Sequence, residues 1–232
     1  MTRSGVILPA EMASAPSSVP PGVPTDPAAR SYERSAGVAA IATGIGGLVY
    51  SVAFLGGVVA GAAPELGTLV ASLALMLGGL LSVAVLVTIY RRLLESASAV
   101  ALLGLVLVAV GAMGAVIHGG YDLANAVQPP RANPLAQAEL PNPVDPRGLL
   151  TFGVTGLGLM VLMLQARASA VLPSPLATLG VVVGGLLVLV YIGRLVILTP
   201  TDPLVAVPAA LTGLVLSPAF YVWLGLELRR GR

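Results

Sequence analysis

The residues best equipped for chemistry lie in one short stretch, His118-Gly119-Gly120-Tyr121-Asp122-Leu123-Ala124-Asn125. His118, Tyr121, Asp122 and Asn125 are offset by three, four and seven positions, which on a continuous helix sets all four on one face. An imidazole beside a carboxylate can exchange a proton, hold a ligand or form an ion pair. Gly119-Gly120 works against this arrangement, because a helix break there would part His118 from the other three. The second candidate is Arg194, inside the apolar run Val188–Leu198. A guanidinium a couple of turns inside a membrane span is costly unless it is paired or reaches the surface. Asp122 is its predicted partner, with Glu65 and Asp202 as rivals, and Tyr191 stands three residues earlier on a nearby face. His118, Tyr121, Asp122, Asn125, Tyr191 and Arg194 together form the candidate ligand-binding set. The same pairing also serves as a plain lock between two helices, and that role asks less of the sequence.

Catalysis and metal binding have thinner support. His118 is the sole histidine and there is no cysteine, which excludes bis-histidine haem ligation, thiolate metal sites, iron–sulfur clusters and disulfides within one chain. A mixed site of His118, Asp122 and Glu65 is the remaining metal option. A His118–Asp122 dyad lacks a marked nucleophile: Ser51, Ser72, Ser82, Thr151 and Thr155 all lie in apolar segments, with nothing to single one out as activated. No P-loop, dinucleotide fingerprint or zincin motif is present, so no catalytic residue and no cofactor are assigned.

The elements that must position these residues follow from composition. Of 232 residues only 9% are charged and 56% are hydrophobic, where a soluble domain carries about 25% charge. Such a chain has too little polar surface for water but enough apolar surface for lipid. Six apolar segments are predicted as transmembrane helices, near residues 36–62, 68–90, 98–118, 148–165, 176–198 and 204–224. The fold class is therefore an all-α, six-helix transmembrane bundle. Asp145 is a plausible N-cap for the fourth segment, with Pro146 at its first position. Glycines in the spans, Gly44, Gly46 and Gly47 in the first, Gly78 and Gly79 in the second, Gly104, Gly111 and Gly114 in the third and Gly184 and Gly185 in the fifth, suit close helix packing. A shift of 76 residues lays Arg91 on Arg167 and Leu103-Gly104 on Leu179-Gly180, a faint direct repeat.

All twelve basic residues are arginine, and with six crossings most fall on one side. Arg30, Arg34, Arg91, Arg92, Arg167, Arg229, Arg230 and Arg232 share that side, which predicts both termini in the cytoplasm. Arg91, Arg92 and the closing arginines read as anchors for anionic head groups rather than for nucleic acid. Residues 1–34 are rich in Pro, Ala and Ser and are predicted to be a disordered cytoplasmic tail. The outer loop, 119–147, carries prolines that favour extended segments and turns, and it is long for a compact bundle. Pro218 is predicted to kink the last helix.

The stretch from His118-Gly119-Gly120-Tyr121-Asp122 through the fourth and fifth segments to the closing Ser217-Pro218-Ala219-Phe220-Tyr221 resembles a broad group of bacterial six-helix membrane proteins of unknown function, over residues 36–230. The resemblance implies the six-span architecture and brings no reaction with it. The expected protein is a structural or accessory component of a membrane complex in the inner (plasma) membrane. Its expected partners are lipids and other membrane subunits, and a homodimer is compatible with the small-residue faces. The alternative is a transporter or a small-molecule- or lipid-binding protein with an outward-facing polar pocket between the third and fifth helices.

Overall fold

A computed structural model describes residues 26–94, 98–128, 145, 147–199 and 201–231. It is all-helical among the described residues. Six helices are long and apolar enough to cross a membrane: α1 (Pro27–Val59), α2 (Pro64–Leu93), α3 (Ala99–Val127), α4 (Leu149–Ala168), α5 (Ser174–Val196) and α6 (Pro203–Arg230). Their outward faces are apolar, as with Val106, Val110, Met113 and Ile117 on α3.

Several boundaries move outward from the sequence reading. α1 starts at Pro27 rather than near 36, so residues 27–34 are helix and not tail. Asp26 supplies the reason: its carboxylate accepts from the Ala28 N–H, and Pro27 fills the first helical position. Residues 1–25 of the predicted tail lie outside the described residues. α3 runs on to Val127, nine residues past its predicted end at 118. Gly119-Gly120 does not interrupt it, because Gly119 packs directly on α2, where a Cβ would stand 2.5 Å from the Ser72 carbonyl oxygen. Most of the predicted outer loop that remains, 129–144, lies outside the described residues.

Consecutive helices pack antiparallel, and α6 closes the ring against α1. Gly57 meets Gly67 where α1 turns into α2, Gly79 meets Ala112 between α2 and α3, Gly156 meets Gly184 between α4 and α5, and Gly37 meets Gly225 between α1 and α6. Close backbone approach of this kind is how helices associate where lipid removes the hydrophobic drive between them. The bundle thus has a terminal end, which holds the start of α1 and the end of α6, and a loop end, which holds the α1–α2, α3–α4 and α5–α6 links.

The two ends are built differently. The largest fully buried side chains, among them Ile89, Leu93, Leu162, Met163, Leu176 and Phe220, lie in the half nearer the termini. The loop half is closed instead by glycine contacts and by small or polar side chains such as Ser51, Ser72, Thr151 and Thr212. Their hydroxyls donate to carbonyls of their own helices, which satisfies them in an apolar setting.

Three helices contain π-helical turns, at Ala53–Val59, Leu149–Val154 and Thr212–Leu216. The last has a clear cause. Pro218 has no N–H to donate and its ring crowds the preceding turn, so the helix widens just ahead of it. The irregularity expected at Pro218 is therefore seated one turn earlier.

Candidate functional site

The polar site forms at the loop end, where α3 meets the head of α4. α3 spans 29 residues, about 43 Å at the usual helical rise, against a hydrocarbon core of about 30 Å. Its last turns therefore stand at interfacial depth. Since the helix continues past its expected end at 118, His118, Asp122 and Asn125 are half-buried, while Tyr121, the fourth residue of the expected face, is exposed.

Arg147 organises the cluster. Its Nη1 donates to Asp122 Oδ1 at 2.8 Å, and its Nη2 donates to Asp145 Oδ2 at 2.6 Å. Its Nε donates to both oxygens of Asp145, at 3.0 and 2.9 Å. The guanidinium carbon lies 4.7 Å from the centre of the Tyr121 ring, a cation–π contact. Asp145 caps the head of α4 as expected, because Oδ1 also accepts the Arg147 backbone N–H at 2.9 Å. Partial burial works against ionisation of Asp145. The side-chain and backbone hydrogen bonds from Arg147 outweigh it and hold the carboxyl below its ordinary value of 3.8. Burial also opposes the charge on Arg147, and its hydrogen bonds to the two carboxylates outweigh it and push the guanidinium upward.

His118 completes the cluster. Its Nε2 lies 3.5 Å from Asp122 Oδ2 and 3.7 Å from Asp145 Oδ2. Its Nδ1 lies 3.3 Å from Thr151 Oγ1. The Thr151 hydroxyl has one proton, which it gives to the Arg147 carbonyl at 2.9 Å. With that proton so placed the hydroxyl accepts from the ring, an arrangement that puts the proton of a neutral imidazole on Nδ1. Thr151 is brought to this position by the π-helical turn that opens α4.

Arg194 is not the partner of Asp122. Its Nη1 donates to the Ile197 and Leu198 carbonyls, at 3.1 and 2.5 Å, at the C-terminus of its own helix. Those carbonyls have no donors in the last turn, so a guanidinium reaching past the helix end both satisfies them and escapes the apolar run. Tyr191 packs against Gly153 of α4, where an added Cβ would meet its Cδ1 at 3.1 Å. The head of α4 thus stands between α3 and α5, and the predicted pocket lined by those two helices is displaced. His118, Tyr121 and Asp122 are brought together with Asp145, Arg147 and Thr151. Tyr191 and Arg194 belong to the α5 side. Among the described residues no group of three or more His, Cys, Asp or Glu is arranged to hold a metal ion, and Glu65 is exposed at the start of α2.

A second ionic site at the terminal end escaped the sequence reading. Glu33 of α1 and Arg92 of α2 form a buried ion pair, at 3% and 4% exposure. Arg92 Nη1 also reaches the Val171 carbonyl in the α4–α5 link, at 3.4 Å. Arg92 is therefore an internal tie rather than a head-group anchor. Arg91 beside it is exposed, 5.8 Å from the Tyr32 ring centre. Glu33 carried the missed signal, as an acid at the same end of the neighbouring helix.

No protein-family model, curated protein or solved structure matches this chain.

Proposed function

We propose that the chain is a multi-pass protein of the inner (plasma) membrane, with both termini in the cytoplasm, that serves as a structural or accessory component of a membrane complex. The observation that carries this reading is that the charged groups inside the bundle are spent on one another. Glu33 and Arg92 tie α1 to α2 at one end, and Asp122, Asp145 and Arg147 tie α3 to α4 at the other. Partner-free charges poised for a substrate would favour transport or binding, and Arg194, the leading candidate for that part, is occupied with its own helix end. The six-span architecture and the concentration of arginine at the terminal end support the orientation. The resemblance to bacterial six-helix membrane proteins belongs to the same proposal.

The test is recovery of the chain from its own membrane at native abundance in a mild detergent. The structural reading expects a stable assembly well above the 23.3 kDa of one chain. A monodisperse single chain that gains thermal stability from a lipid, organic acid or metal, and loses that gain with Arg147→Ala, would overturn it in favour of the binding reading.

A further inference from the structure

We propose that His118, Asp122 and Asp145 form a proton-binding site, in which one proton on His118 Nε2 gives both carboxylates a second cationic partner beside Arg147. The case starts with hydrogen-bond inventory. With the Thr151 proton on the Arg147 carbonyl, Nδ1 is the ring nitrogen that donates to Thr151, and Nε2 of the neutral ring is left with a lone pair. That lone pair faces Asp122 Oδ2 at 3.5 Å and Asp145 Oδ2 at 3.7 Å, so acceptors meet acceptors. A proton on Nε2 converts both approaches into charge-assisted contacts. Charge counting among the described residues agrees: two carboxylates and one guanidinium sum to −1, and one proton brings them to zero.

Among the described residues, the charged groups acting on the ring are Asp122 from its own helix and Asp145 and Arg147 from the head of α4. α2 faces this level with the uncharged Ser72 and Met76 at Gly119, and α1 contributes Tyr50, within electrostatic reach of Asp122. A divalent cation suits the triangle less well than a proton. Asp145 Oδ2 already accepts from the guanidinium at 2.6 and 2.9 Å, which would hold a fixed positive charge against the metal. The His118 side chain is 16% exposed, enough for a proton to reach it. Asp122 then meets Arg147 through Oδ1 and the imidazolium through Oδ2, so the proton state of one residue bears on the tie between α3 and α4.

His118 is the sole histidine of the chain, so ring-labelled 15N-histidine in the full protein gives one pair of signals. The experiment is nitrogen NMR of that ring in lipid nanodiscs from pH 8 to pH 5. The expected result is the Nδ1–H form at pH 8 and a doubly protonated ring at the acid end. Asp122→Asn should lower the ratio of protonated to neutral ring at a fixed pH about tenfold. Thr151→Val should release the neutral ring to the Nε2–H form, and Thr151→Ser, which keeps the hydroxyl, should restore Nδ1–H. An Nε2–H ring at pH 8 in the native chain, a ring still neutral at pH 5, or an unchanged titration in a folded Asp122→Asn variant would each overturn the proposal.

Discussion

At the scale of single residues, what matters is where each guanidinium finds its acceptors. Arg147 and Arg194 both stand near the loop end, but one bridges two elements and the other caps its own. Arg147→Ala leaves two partly buried carboxylates without their shared donor. It should lower stability by on the order of 1–2 kcal/mol, allowing for their exposure. Arg194→Ala should cost less and leave the His118 titration unmoved. Thermal unfolding of the two variants in the same detergent checks the order, and a larger loss for Arg194→Ala would contradict it. Glu33 and Arg92 are a sharper case because both are nearly inaccessible. Removing one partner strands a buried charge, so Glu33→Leu or Arg92→Leu alone should cost about 3–5 kcal/mol. The double replacement removes both charges and should be more stable than either single one. Folded yield and melting temperature of the three variants decide this, and a double variant no better than the worse single one would refute internal pairing.

At the scale of elements, the glycines divide into those that let backbones touch and those that do not. Gly156 and Gly184 meet across α4 and α5, and a Cβ on Gly156 would stand 2.6 Å from the Gly184 carbonyl oxygen. Gly78 meets nothing within 4 Å. Gly156→Ala should therefore destabilise by about 1–3 kcal/mol through forced helix separation. Gly78→Ala should be neutral or stabilising by up to about 1 kcal/mol, from helix propensity alone. Melting temperatures of the two variants, measured side by side, test the packing; equal losses would show that the α4–α5 approach is looser than described. Sequence alone does not separate the two classes, because a glycine's letter carries no information about the face it occupies. The π-helical turns were legible only in part. Pro218 marked one of them in the sequence, though not the turn ahead of it that widens, and no residue pattern marks those at Ala53–Val59 and Leu149–Val154.

At the scale of the whole molecule, the six apolar helices were legible in the sequence because lipid imposes length and composition on every span. The spacing of His118, Tyr121, Asp122 and Asn125 was legible too, but not the helix that carries it, because Gly119-Gly120 read as a break and the span was ended at 118. The pairing was not. Arg194 was the arginine inside an apolar run and drew the expectation, whereas Arg147 sat in what read as a loop turn. Choosing between them requires knowing that α4 stands between α3 and α5, which is a fact of packing. Glu33 and Arg92 were obscured because charges near span ends read first as topology signals.

The chain contains no cysteine, so single cysteines placed in it report their own positions without background. The orientation is tested by labelling such cysteines in intact cells with a reagent that cannot cross the membrane. Positions near Ser31 and Gly231 represent the terminal end, and positions near Gln128 and Thr201 the loop end. Both loop-end positions should label from outside, and both terminal-end positions should label only after the membrane is opened. Labelling of either terminal-end position from outside would contradict an even number of crossings with cytoplasmic termini, and with it the placement of the His118 cluster on the outer face.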